Sequence, residues 1–94
     1  LFAFFGAAHM TKTITVRYFA SIREAMGTGE ETWATTAPTV AALRQELAGR
    51  SAQAALALAE DQPVRLALNQ TMCPPDAPIA PGDEVAFFPP VTGG

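Results

Sequence analysis

The residues able to do chemistry here are few, and most lack the partners that chemistry needs. The chain has one histidine, His9, and one cysteine, Cys73. A Ser-His-Asp or Cys-His arrangement needs a histidine base within the fold, and His9 precedes the first patterned segment. Cys73 lies between Met72 and two prolines, with no CxxC partner and no adjacent cation. It reads as a small filler residue rather than a nucleophile. One cysteine forms no internal disulfide, which fits a reducing, cytoplasmic location. Without a Cys/His cluster, no zinc site built by the protein is expected. The carboxylate pairs Glu30-Glu31, Glu60-Asp61 and Asp83-Glu84 read as solvated turns and strand starts. In "PGDE", Asp83 is expected to brace a turn through backbone N–H groups. "GTGE" at 27–30 has no following GK[ST], so it is a weak phosphate cradle.

The stretch "GDEVAFFPPVTGG" is different. An apolar strand runs into Pro89-Pro90, which favours an extended polyproline II path. Val91, Thr92, Gly93 and Gly94 follow. Residues 89–94 reach roughly 20 Å when extended, enough to enter another protein's active site. Gly93 and Gly94 have no side chains, so they can thread a channel too narrow for a Cβ. The chemistry available there is that of a carboxyl group on a thin arm.

Something must hold that arm. With 94 residues, 49% hydrophobic and 16% charged, the chain is bounded to one folded domain. Its net charge is −3 and its cations are scattered singly, so neither nucleic acid nor a membrane is an expected partner. Residues 1–9, "LFAFFGAAH", carry no charge and are too short to span a bilayer. They lack the basic start of a signal peptide. They are read as a tag or an extension outside the fold, with the domain at 10–94.

In "TITVRYFA", Ile14, Val16 and Tyr18 alternate with Thr15, Arg17 and Phe19, the pattern of a strand buried on one face. "SIREAMG" predicts a helical turn with a Ser21/Glu24 capping box and a Gly27 stop. "GEETWATT" predicts a second strand, pairing with the first as a long-connected hairpin. Thr39 can cap a helix whose Val40, Leu43 and Leu47 form one stripe, ended by Gly49. Ser51 to Glu60 predicts a second helical segment, and "VRLALNQ" a third main strand. The proline-rich "TMCPPDAPIAPGDE" predicts loop, with one short strand or turn near Pro78 to Ala80. "EVAFF" is the last strand, ended by Pro89.

This order predicts an α+β architecture, a ubiquitin-like β-grasp: a mixed sheet with one main helix packed on one face. The first and last strands would be neighbours at its centre. If Val85 and Phe87 are core, Ala86 and Phe88 face outward with Phe19 and Ala67. Arg17 and Arg65 would flank this apolar patch, a surface suited to a protein partner.

The stretches "VRYFASIREAMG", "PTVAALRQEL", "LALNQT" and "GDEVAFFPPVTGG" closely resemble the small subunits of molybdopterin synthase, which are ubiquitin-like sulfur carriers. The resemblance spans nearly everything from Thr13 to Gly94, and its last stretch is the most specific. "ETWATTA", "SAQAALALAE" and the loop around Cys73 depart from it. The resemblance implies that the Gly94 carboxyl group is adenylated by a ubiquitin-activating-like enzyme, which consumes ATP. A persulfide sulfur then gives a thiocarboxylate. It implies delivery of that sulfur to a pyranopterin precursor inside the large synthase subunit, in a heterotetramer. Gly94 would carry the sulfur and Gly93 permit threading. Pro89, Pro90, Val91 and Thr92 would guide the arm, and Phe19 and Phe88 anchor docking. The carrier itself would bind no cofactor and no metal. Rival readings are a sulfur carrier for thiamin or tRNA thiolation, a ubiquitin-like protein modifier, and an interaction domain with an incidental Gly-Gly.

Overall fold

The computed structural model describes residues 11–90. The proposed extension at 1–9 and the tail positions Val91 to Gly94 lie outside the described residues. Five strands and three helices follow in the order β1 (Lys12–Tyr18), α1 (Ala20–Met26), β2 (Glu30–Thr35), α2 (Val40–Ala48), α3 (Ala52–Leu58), β3 (Arg65–Leu68), β4 (Thr71–Met72) and β5 (Glu84–Phe88) among the described residues. The sheet order is β2-β1-β5-β3-β4. The first and last strands are indeed central neighbours. They run parallel, with Val16 opposite Val85 and Tyr18 opposite Phe87. All other pairings are antiparallel.

The alternation in β1 dictates the core. Ile14, Val16 and Tyr18 are at most 1% exposed, and Val85 and Phe87 are fully buried. They pack beneath Val40, Leu43 and Leu47 of α2 and Leu58 of α3. Thr39 caps α2 by accepting from Ala42 N–H at 3.2 Å, and Ser51 caps α3 by accepting from Ala54 N–H at 3.0 Å. α2 is the main helix. α3 stops at Leu58, short of the expected Glu60, where the Arg44 guanidinium donates to the carbonyls of Leu58, Ala59 and Gln62. These carbonyls have no partner within the helix.

Three local expectations need correction. The Ser21/Glu24 capping box does not form: Phe19 is the N-cap and makes no side-chain cap. Ala20 turns the chain into the left-handed region at φ 52° directly out of β1. The helix therefore starts too early for Ser21 to cap it, and the Phe19 carbonyl accepts from the N–H groups of Ile22 and Arg23. Near Pro78 the expected short strand or turn is a single bridge to Thr39 followed by a turn, in which Asp83 N–H donates to the Ala80 carbonyl at 3.1 Å. The fifth strand is instead Thr71–Met72, folded back on β3 by a two-residue turn. Asn69 and Gln70 both adopt positive φ there, at 51° and 67°, the geometry that Asn-Gly usually signals.

Glu31 is not a solvated strand start. Its carboxylate accepts from the Tyr18 hydroxyl at 2.6 Å and from the Arg50 guanidinium. Arg50 in turn lies over the Trp33 ring, 4.5 Å from its centroid. The group closes the β2 edge of the core. Burial, and then the bond to Glu31, push the Tyr18 hydroxyl well above the usual phenol range. An unfolded tyrosine loses its proton near pH 10, so deprotonation favours the unfolded chain. The stabilisation is complete below about pH 10 and is lost as pH climbs towards the folded value. Tyr18→Phe should cost about 1 kcal/mol at neutral pH and flatten the alkaline loss. Urea melts of both proteins across this range, with tyrosinate absorbance of this sole tyrosine, test the assignment. An equal alkaline slope in Tyr18→Phe would overturn it.

Candidate functional site

The parallel pairing of β1 and β5 has a directional consequence. Both strands point the same way, so the chain leaves β5 at the edge where β1 turns into α1. Phe19 and Phe88 meet at this edge, their rings edge-to-face with centroids 6.2 Å apart. Pro89 and Pro90 follow, both half-buried. The structure thus brings together Phe19, Phe88, Pro89 and Pro90, while Val91, Thr92, Gly93 and Gly94 continue from Pro90 beyond the described residues.

The sheet face away from the helices can be read from the register. Glu30, Arg17, Ala86, Ala67 and Met72 form one cross-strand row, and Arg65 stands opposite Phe88 in the next. Ala86 and Ala67 are each 7% exposed and make a low floor between larger neighbours. Phe19 and Met72 are 40% and 56% exposed at its two sides. Met72 was missed from sequence because β4 was missed. Its signal was "LNQT", a polar pair between two strand-like runs. Arg17 spans the face's β2 side, 3.5 Å from a Glu30 carboxylate oxygen and 3.7 Å from one of Glu84. Its guanidinium also lies 5.2 Å from the Phe19 ring centroid.

On the helix side of the same edge lies an open groove of about 340 Å³. Ile22, Ala25, Leu56, Ala57, Pro89 and Pro90 line it, with no charged residue. The root of the tail therefore emerges between two apolar surfaces. Its departure is braced from below by a polar staple at the other end of β5. Asp83 accepts from Ala80 N–H at 2.8 Å and from the Asn69 amide at 3.1 Å. The Asn69 carbonyl oxygen accepts from Glu84 N–H at 2.9 Å. This is the turn-bracing role expected of Asp83.

Cys73 is half-buried against the core, and burial pushes its thiol pKa up, away from nucleophilic behaviour. Among the described residues no three His, Cys, Asp or Glu side chains gather as a metal site. No described helix is long and apolar enough to cross a membrane. What this geometry does is bring the chain out at Pro90 beside a partly apolar sheet face.

A mixed five-stranded sheet with helices packed on one face defines a ubiquitin-like β-grasp. The model of the ThiS family matches residues 16–94. The molybdopterin synthase sulfur carrier subunit of Escherichia coli (strain K12) is 53% identical over 81 residues, covering 86% of this chain and 99% of its own. The solution structure of the Haloferax volcanii HVO 2177 protein superposes with a TM-score of 0.75 at 29% identity, covering 89% of this chain and 88% of its own. A complex of subunits 1 and 2 of molybdopterin-converting factor from Helicobacter pylori contains a chain that matches at a TM-score of 0.58 and 26% identity, covering 87% of this chain and 99% of that one. The chain belongs to the ThiS family, and these similarities support a sulfur carrier role in molybdopterin biosynthesis.

Surface placement of Phe19 separates it energetically from its neighbour Phe87. Phe87→Ala should cost about 3–5 kcal/mol by emptying the core. Phe19→Ala should cost about 1 kcal/mol, mostly the edge-to-face contact. Urea melts of the two variants check this, and a Phe19 loss as large as that of Phe87 would make Phe19 a core residue.

Proposed function

We propose that this chain is the sulfur-donating small subunit of a molybdopterin synthase, acting through a thiocarboxylate on Gly94. The observation that carries the reading is the exit of the tail. Beginning with two prolines and free of charged side chains, it leaves the sheet centre beside an exposed apolar face.

A C-terminal carboxylate has a pKa near 3.5 and is an unreactive anion at neutral pH. An adenylating partner activates it: the carboxylate attacks the α-phosphorus of ATP, pyrophosphate leaves, and an acyl-adenylate forms. The terminal sulfur of a persulfide donor attacks the acyl carbon and AMP departs. A second thiol then attacks the donor sulfur, so the acyl group keeps one sulfur as a thiocarboxylate and the two thiol sulfurs end as a disulfide. The sulfur is delivered inside a large subunit to a pyranopterin precursor. A dithiolene needs two sulfurs, so two carriers act per pterin, in keeping with a heterotetramer around a large-subunit dimer. The carrier binds no cofactor of its own in this scheme, and ATP is spent by the adenylating enzyme. The subunit complex from Helicobacter pylori supports a large-subunit partner, and a lone unpaired cysteine suits a cytoplasmic setting.

On this reading Gly94 carries the sulfur and Gly93 lets the arm thread. Pro89, Pro90, Val91 and Thr92 guide and grip the arm. Phe19 and Phe88 anchor docking at its root.

Intact mass after incubation with ATP, an adenylating partner and a sulfur source tests this directly. One oxygen exchanged for sulfur, on the C-terminal peptide, is the expected result. Gly94→Trp should abolish the exchange while leaving the melting curve unchanged. A normal thiocarboxylate yield from that variant, or an unmodified wild type with enzymes active on another carrier, would overturn the reading.

A further inference from the structure

The docking face is not purely apolar, and its two arginines differ in their situation. Arg17 already has acidic neighbours: it lies 3.5 Å from a Glu30 carboxylate oxygen, 3.7 Å from one of Glu84 and against the face of Phe19, although its Nε makes no hydrogen bond. Arg65 stands directly opposite Phe88 in the β3–β5 ladder, on the outer face, and is exposed. Among the described residues it makes no ion pair and no side-chain hydrogen bond.

A partner that covers Phe88, the Ala86–Ala67 floor and Met72 must also approach Arg65, whose neighbour across the ladder is Phe88 itself. Covering a guanidinium removes it from water, and an unpaired desolvated charge is strongly unfavourable. A planar carboxylate is the acceptor that meets a guanidinium with two parallel hydrogen bonds. Long-range attraction points the other way. The chain carries a net charge of −3, so it draws basic surfaces towards it. A basic group seated at Arg65 would nonetheless meet like charge at short range. The global field and the local requirement together select a partner with a specific charge pattern.

We infer that Arg65 is a specificity-determining residue of the docking face, and that the large subunit places an aspartate or glutamate against it beside the apolar contact with Phe88. Arg17 stays with its own carboxylates and shapes the far side of the face. This inference rests on the proposed large-subunit partnership and adds the chemistry that the partner must offer.

The test uses the full chain and the purified large subunit from the same organism, with affinity measured by calorimetry at low and moderate salt. Arg65→Glu should weaken binding about 100-fold and Arg65→Leu about tenfold, since truncating or reversing one member of a covered charge pair acts on dissociation. Salt should weaken the wild type more than Arg65→Leu. A large-subunit acid-to-lysine substitution should rescue Arg65→Glu. Backbone amide spectra of both variants establish that the fold is kept. If Arg65→Glu binds within twofold of wild type while Phe88→Ser does not bind, the docking face stands and the carboxylate requirement is overturned. If the wild type does not bind the large subunit at all, the partnership and this inference fail together.

Discussion

The parallel pairing of β1 with β5 is the constraint on which the rest of the molecule depends. It joins segments some 70 residues apart in sequence, and such a closure is favourable only because of what it buries. Val16, Tyr18, Val85 and Phe87 make one unbroken apolar surface in the two central strands, and the three helices are laid across it. The same pairing sets the exit of the chain. A β5 lying at a sheet edge would release its tail at the periphery. At the centre, the tail leaves between the Phe19–Phe88 contact and the groove beneath α1 and α3.

The polar interactions are arranged around that centre rather than within it. Tyr18, Glu31, Arg50 and Trp33 close one margin, where β2 would otherwise leave the core open. Asp83 and Asn69 lock the turn entering β5. Both clusters fix the register of strands that carry the site. Such an arrangement suits a carrier on the proposed reading. The reacting group must move between partner active sites while its mount stays unchanged, so strength is needed in the sheet.

Much of this was legible in the sequence, and the reason is periodicity. Strict alternation in β1 assigned its core face and with it the outward Phe19; β5 is an apolar run, and Phe88 was placed outward by its spacing from Val85 and Phe87. The Thr39 cap marked one helix start with its ordinary chemistry; the Ser51 cap is seen only in the structure. What escaped was what local pattern does not encode. The two-residue strand β4 is too short to alternate, and Asn69-Gln70 lacks the glycine that announces such a turn, so Met72 was not placed on the face. Ala20 takes a left-handed conformation that an alanine does not advertise, and this displaced the helix start from Ser21. Glu31 looked like one of two strand-entry acids. Only the tertiary fold brings Tyr18 and Arg50 to it. The tail's composition was fully legible, because its meaning lies in the side chains it lacks.

The docking face shows how a small carrier can be selective with little surface. Its apolar elements are generic: two phenylalanines, a methionine and an alanine floor would suit many partners. Hydrophobic contact is non-directional and discriminates poorly between shapes of similar size. Charge is directional in effect, because the wrong sign in a covered position is penalised more than the right sign is rewarded. On this face the charges occupy defined places in the ladder, Arg17 opposite Ala86 and Arg65 opposite Phe88. One is balanced from within and one is left for a partner to balance. A carrier that must dock, deliver and leave gains from that arrangement: rejection of wrong partners comes from the unpaired guanidinium of Arg65, while the modest apolar area keeps the correct complex reversible.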